Sequence, residues 1–162
     1  MSIHIGKKIK EIELEENTTF TDALFLLQDI LSTDTDASDN NKLTLIINDF
    51  SEKMRALKCC KDYSQDSIFI LIYSSILLYN DIFNIKIKKK ITLQQFIRML
   101  KGCNSNNNIQ GDFPEDFLTS IYNQIEITKN NLDQINNETN NETNNETKKE
   151  DKQPKQSLCI IL

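Results

Sequence analysis

Apolar side chains recur at helical spacing soon after the start of the chain. Ala23, Leu24, Leu26, Leu27, Ile30 and Leu31 predict a helix near residues 22–31, with Thr21 or Asp22 as its cap. Residues 32–42 hold no apolar side chain larger than Ala, and many of them compete for backbone hydrogen bonds, so an acidic loop is expected there. Leu43, Ile46, Ile47, Phe50 and Met54 lie along one face of a second helix, over residues 43–57. Ser67 to Leu78 is apolar nearly all round and reads as a buried central helix capped by Ser64 or Asp66. It is shorter than the roughly 20 apolar residues that a bilayer span needs. A turn over residues 80–84 and a basic run from Lys86 to Lys90 follow. Thr92 and Gln95 then form a capping box for a helix that reaches Leu100, with Gly102 placed to end it. Pro114 suits a first helical turn, and Phe117, Leu118, Ile121, Tyr122 and Ile125 make a last apolar face. The expected fold class is all-α. Residues 1–20 alternate weakly at Ile3, Ile5 and Ile9, which leaves strand, helix and disorder open.

Past Lys129 the pattern changes. Asn-Asn-Glu-Thr is repeated three times between Asn136 and Thr147, a polar tract with too little apolar area to offset its ordering entropy. Residues 129–158 are therefore expected to form a disordered linker behind a helical domain over residues 21–128. The net charge of -5 and the scattered basic residues argue against a nucleic-acid partner. Met1 to Glu15 mixes Ile with Lys and Glu instead of forming an apolar run, which points to the cytosol. The four cysteines, Cys59, Cys60, Cys103 and Cys159, contain no C-x-x-C pair, and His4 is the only histidine. Neither a metal site nor a bound cofactor is expected. Three glycines and the lack of a G-x-x-x-x-G-K-S/T loop exclude a small GTPase.

Residues 159–162, Cys-Ile-Ile-Leu, have the C-a-a-X form with Leu last, which favours geranylgeranylation of Cys159. One lipid chain holds a membrane weakly without a second signal. Lys148, Lys149, Lys152 and Lys155 offer one, diluted by Glu150 and Asp151. The expected location is cytoplasmic, peripheral on the cytosolic face of a membrane.

From Ser64 the chain resembles a known family. Ser64-Gln65-Asp66 through Leu71, Tyr73 and Ser74 is similar to S-x-D-x-x-x-x-L-x-Y-S of the Sec-seven domain, the exchange module for Arf-type GTPases. Leu78-Tyr79-Asn80-Asp81-Ile82-Phe83-Asn84 resembles the family's L-N-T-D-L-H-N, and Lys90-Ile91-Thr92 through Phe96-Ile97 resembles K-M-T-x-x-x-F-I. Phe113-Pro114 through Leu118, followed by Ile121-Tyr122, resembles L-P-x-x-x-L and I-Y. Upstream, Ile46-Ile47-Asn48-Asp49-Phe50 and Ala23-Leu24 match more loosely. The resemblance covers Thr21 to Ile125 without the family's N-terminal helices, so it implies the C-terminal helical part of a divergent, N-terminally truncated Sec-seven-like domain.

The resemblance implies a groove for the switch regions of an Arf-type small GTPase, lined by Tyr73, Ile76, Leu77, Tyr79, Asp81, Asn84 and Ile91. It also implies a carboxylate finger that enters the nucleotide site, competes with magnesium and repels the β-phosphate. The family's L-P-G-E-A loop is absent, and no glutamate lies between Glu16 and Glu52. Asp36, followed by Ala37, is the candidate for the finger, with Asp34 and Asp39 as alternatives of register. Tyr79 and Phe83 stand where the family has Asn and His. The expected function is guanine-nucleotide exchange on an Arf-type GTPase. The alternative is a prenylated helical adaptor that keeps the fold without exchange.

Overall fold

A computed structural model describes residue 9 and residues 11–32, 40–106 and 109–147. Its described helices are α1 (Phe20–Ser32), α2 (Asn40–Met54), α3 (Gln65–Phe83), α4 (Leu93–Met99) and α5 (Glu115–Thr147). A hairpin of β1 (Asn104–Asn106) and β2 (Ile109–Gly111) lies between α4 and α5, antiparallel with Ser105 opposite Gln110. The fold is all-α, and this hairpin is a small addition that a run of Asn and Ser did not suggest. The chain divides into two compact units, residues 1–126 and 127–162.

Within the first unit, α3 is the element around which the others pack. Its Ile68, Leu71, Ile72, Leu78 and Ile82 are buried together with Leu24 and Leu27 of α1, Ile47 and Phe50 of α2, Phe96 of α4, and Leu118 and Ile125 of α5. Ser64 caps α3, its hydroxyl accepting the Ser67 N–H at 3.1 Å, which resolves the choice between Ser64 and Asp66. The helix also continues past Leu78, so Asn80 to Phe83 form its last turn instead of a loop. At 19 residues and mean hydropathy 1.3 it has the length and composition of a membrane span. Its buried partners on every neighbouring helix identify it as a core helix.

Three further boundaries have local causes. Helix α1 starts at Phe20 because Thr19, not Thr21 or Asp22, is the cap: its Oγ1 accepts the Asp22 N–H at 3.1 Å and donates to the Asp22 carboxylate at 2.6 Å. Thr21 is instead buried. At α4 the expected capping box is present, with Thr92 Oγ1 accepting the Gln95 N–H and Gln95 Oε1 accepting the Thr92 N–H. Gly102 stops that helix in the left-handed region at φ 71°, and its N–H donates to Asp112 Oδ1 at 2.6 Å.

The segment before α1, left open by its sequence, is tied to α2 and the turn after it. Ile9 is fully buried, Lys53 Nζ donates to the Ile12 carbonyl at 2.9 Å, and the Lys58 N–H donates to the Glu16 carbonyl at 2.9 Å. In the second unit, residues 127–147 are helical, although composition alone suggests a spacer. An i,i+4 pair between Lys129 and Asp133 supports this stretch, and a helix pairs its own backbone groups whatever its side chains. The rest of the expected linker and residues 159–162 lie outside the described residues.

Truncating a central contact of α3 tests this architecture. Leu71→Ala is expected to lower unfolding stability by about 2–5 kcal/mol, the range for emptying a fully buried leucine site. Chemical denaturation followed by circular dichroism measures the loss.

Candidate functional site

An α-helix turns 100° per residue, so Ile70, Tyr73, Leu77, Asn80, Asp81 and Asn84 fall within an arc of about 100° on α3 and its cap. The opposite side carries the buried Leu71, Ile72, Ser75, Leu78 and Ile82. Ile70, Tyr73 and Leu77 keep 37%, 43% and 42% of their surface exposed, a large fraction for neighbouring apolar side chains at i, i+3 and i+7. The strip therefore begins apolar and ends in Asn80, Asp81 and Asn84.

Two of the expected groove residues stand off this strip. Ile76 is 5% exposed and turned toward the core. Tyr79 stacks on Phe83 with ring centroids 4.1 Å apart and leans on Phe25 of α1 at 6.2 Å. Burial, with the Asp29 carboxylate adding to it, pushes the Tyr79 phenol above its ordinary value, so its ring acts as a neutral prop between α1 and α3.

The polar end of the strip is fixed by hydrogen bonds. Asp81 Oδ2 accepts the Ile91 N–H at 2.8 Å, and the Tyr122 hydroxyl donates to the Ile91 carbonyl at 2.9 Å. Lys90 Nζ donates to the carbonyls of Asp81 and of Asn84, the latter at 2.6 Å. A cation on the last carbonyls of a helix meets the negative end of its dipole and satisfies orphan acceptors. Asn84 Oδ1 accepts the Lys86 N–H at 3.0 Å and starts the loop. Asp81 and Asn84 thus do build the end of the helix, and they also set where Ile91 stands.

Ile91 opens onto a cleft of about 490 Å³ lined also by Lys89, Lys90, Gln95, Arg98 and Met99. Tyr73, Leu77, Asp81, Asn84 and Ile91 are brought to one continuous region, with the Asp81–Ile91 bond joining strip to cleft. Sequence reasoning missed Ile70, because α3 reads as apolar all round, and it missed the roles of Lys90 and Tyr122. Lys90 was hidden in a basic run whose Lys86, Lys88 and Lys89 are exposed, whereas Lys90 is half-buried. Asp34, Asp36, Asp39 and Cys159 lie outside the described residues. Among those residues no cluster of His, Cys, Asp and Glu is arranged to hold a metal ion.

This chain is similar to several known proteins. Brefeldin A-inhibited guanine nucleotide-exchange protein 1 of Homo sapiens is 39% identical over 62 residues, 38% of this chain and 3% of that protein. The crystal structure of the Sec7p catalytic domain superposes with TM-score 0.60 at 24% identity, over 75% of this chain and 60% of that one, a likeness of fold. The Sec7 domain in a structure of ARF1-GDP bound to it, complexed with Brefeldin A, matches with TM-score 0.50 and 28% identity over 64% of this chain and 51% of that one. The Sec7 domain family model matches residues 11–130, which takes in the segment before α1 as well as every element from α1 to the start of α5. On that match, and on the helices it covers, this chain belongs to the Sec7 domain family.

Proposed function

We propose that this chain docks an Arf-type small GTPase on the α3 strip and promotes release of its bound guanine nucleotide. The observation that carries the reading is the half-exposed run of Ile70, Tyr73 and Leu77 leading to Asp81 and Asn84, on the helix whose sequence carries the family motifs. A Sec7 domain at 28% identity in complex with ARF1-GDP supports the choice of partner.

The proposed mechanism divides the work between surface and charge. The apolar strip supplies binding energy as the partner covers it, at about 25 cal/mol per Å² before the costs of association. Asp81 and Lys90 hold Ile91 and the loop that leads to it in place, so docking need not order them. The strip binds the nucleotide-free form of the GTPase better than the filled form and shifts the population toward it. Asp36 supplies the negative charge that repels the β-phosphate and competes with the partner's magnesium for its place. An aspartate reaches one methylene less far than the family's glutamate, which favours slow exchange. That same departure carries the second reading, an adaptor that docks the GTPase without discharging it.

We further propose that a geranylgeranyl group on Cys159 holds the protein on the cytosolic face of a membrane, where a lipid-bound GTPase is met. The support is the Cys159-Ile160-Ile161-Leu162 box and the lysines before it.

Release of a fluorescent GDP analogue from Arf-type GTPases on liposomes tests the exchange reading. Acceleration by the wild type and its loss in Asp36→Lys, with helicity unchanged, is the expected result. An unchanged rate in the variant removes Asp36 from the role, and no acceleration across the GTPase set leaves the adaptor. Tyr73→Asp and Leu77→Asp, at exposed positions, are each expected to weaken binding to nucleotide-free GTPase at least about tenfold, as charges placed in an apolar contact do. Titration calorimetry reads that loss. The prenylated chain is expected to sediment with liposomes, and Cys159→Ser to remain in the supernatant.

A further inference from the structure

Between α2 and α3 the chain winds through a series of tight turns. The Cys60 N–H donates to the Leu57 carbonyl and the Tyr63 N–H to the Cys60 carbonyl, each at 3.0 Å. This winding sets the side chains of the consecutive Cys59 and Cys60 beside each other, with their sulfurs 3.6 Å apart. The two thiols differ in access. Cys60 is wholly buried in the core. Cys59 is half-buried and lines a cavity of about 290 Å³, together with Thr18, Lys58, Phe117 and Ser120.

They also differ in charge. The hydrogen bond from Cys60 is the largest influence on the Cys59 thiol and lowers it from 9.0 to about 7, aided by the backbone N–H groups of Cys59 and Phe20 and opposed by burial. The same bond, with burial, pushes the Cys60 thiol upward. Of the two, Cys59 is therefore the thiol that ionises first, partly thiolate at neutral pH, and Cys60 keeps its proton.

We propose that Cys59 and Cys60 form a redox site in which Cys59 is the nucleophile, Cys60 the resolving thiol, and the oxidant a small hydroperoxide that enters the cavity. The Cys59 thiolate attacks one peroxide oxygen and the O–O bond breaks. The other oxygen leaves as water or an alcohol after taking up a proton, and Cys59 becomes a sulfenic acid, oxidised by two electrons. Cys60 then gives up its proton and attacks the Cys59 sulfur. The S–S bond forms, the S–O bond breaks, and a second water leaves. In sum, two thiols and one hydroperoxide give one disulfide, one water and one alcohol, or a second water when the oxidant is hydrogen peroxide. Closure brings the sulfurs from 3.6 Å to about 2 Å and joins adjacent residues, whose Cα atoms stand about 3.8 Å apart across a trans peptide, closer than in most disulfides, so the turn must shift and the bond formed is easily reduced again.

The test uses the full chain, reduced and then exposed to hydrogen peroxide at pH 7. Intact mass and peptide mapping are expected to show loss of two hydrogens within the peptide that holds Cys59 and Cys60. Cys60→Ser is expected to stop at the sulfenic acid and to be trapped by dimedone on Cys59. In the untreated wild type, iodoacetamide is expected to label Cys59 at least about tenfold faster than Cys103, which is also half-buried. If Cys103 labels as fast as Cys59, or if oxidation falls on Cys103, on Cys159 or between chains, the proposal is overturned. The wild-type labelling ratio decides the matter even if the Cys60→Ser chain loses its helicity.

Discussion

The structure depends on a single constraint: one helix, α3, supplies the centre of the core and the exposed strip at the same time. A domain of this size has room for one small core, so a helix at its middle meets neighbours on most of its circumference. Leu71, Ile72, Ser75 and Leu78 are buried on one side, whereas Ile70, Tyr73 and Leu77 remain half-exposed on the other. The apolar residues of the strip are thus held by the same backbone that the core immobilises. A surface mounted this way loses little conformational entropy when it is covered.

That arrangement also explains what was legible in the sequence. The helices were, because their apolar spacing and caps are local: Ser64 before α3 and the Thr92–Gln95 box before α4 are found at the positions their residue types suggest. The start of α1 was not, because Thr19, Thr21 and Asp22 are all competent caps and only packing decides among them. Burial of Thr21 leaves Thr19 to face the orphan N–H groups. The end of α3 was misjudged for a related reason. Asn and Asp are common turn formers, but Lys90, six residues beyond Asn84, supplies the donor that lets the helix run on to Phe83.

The candidate site was legible as residue types and not as an arrangement. The family resemblance put Tyr73, Ile76, Leu77, Tyr79, Asp81, Asn84 and Ile91 in one group, and the helix and the Asp81–Ile91 bond bring together Tyr73, Leu77, Asp81, Asn84 and Ile91. The same reasoning had no means of separating Ile76 and Tyr79, since on a helix that is apolar all round exposure is decided by the neighbours. Ile76 turns inward and Tyr79 is caught between Phe25 and Phe83, so both support the strip from behind.

The hairpin between α4 and α5 carries a different consequence. Gly102 and Asp112 close its base through a hydrogen bond, the Asn104 amide donates to the Asp112 carbonyl, and Asn104 pairs with Gly111 in register. A loop fastened at its neck separates the length of its tip from the geometry of the helices it joins. Lengthening such a closed loop is thermodynamically cheap, about 0.6 kcal/mol for each doubling. Since β1 also packs against α3, it is the fastened neck of the hairpin, and not the length of its loop, that fixes the start of α5 on the core.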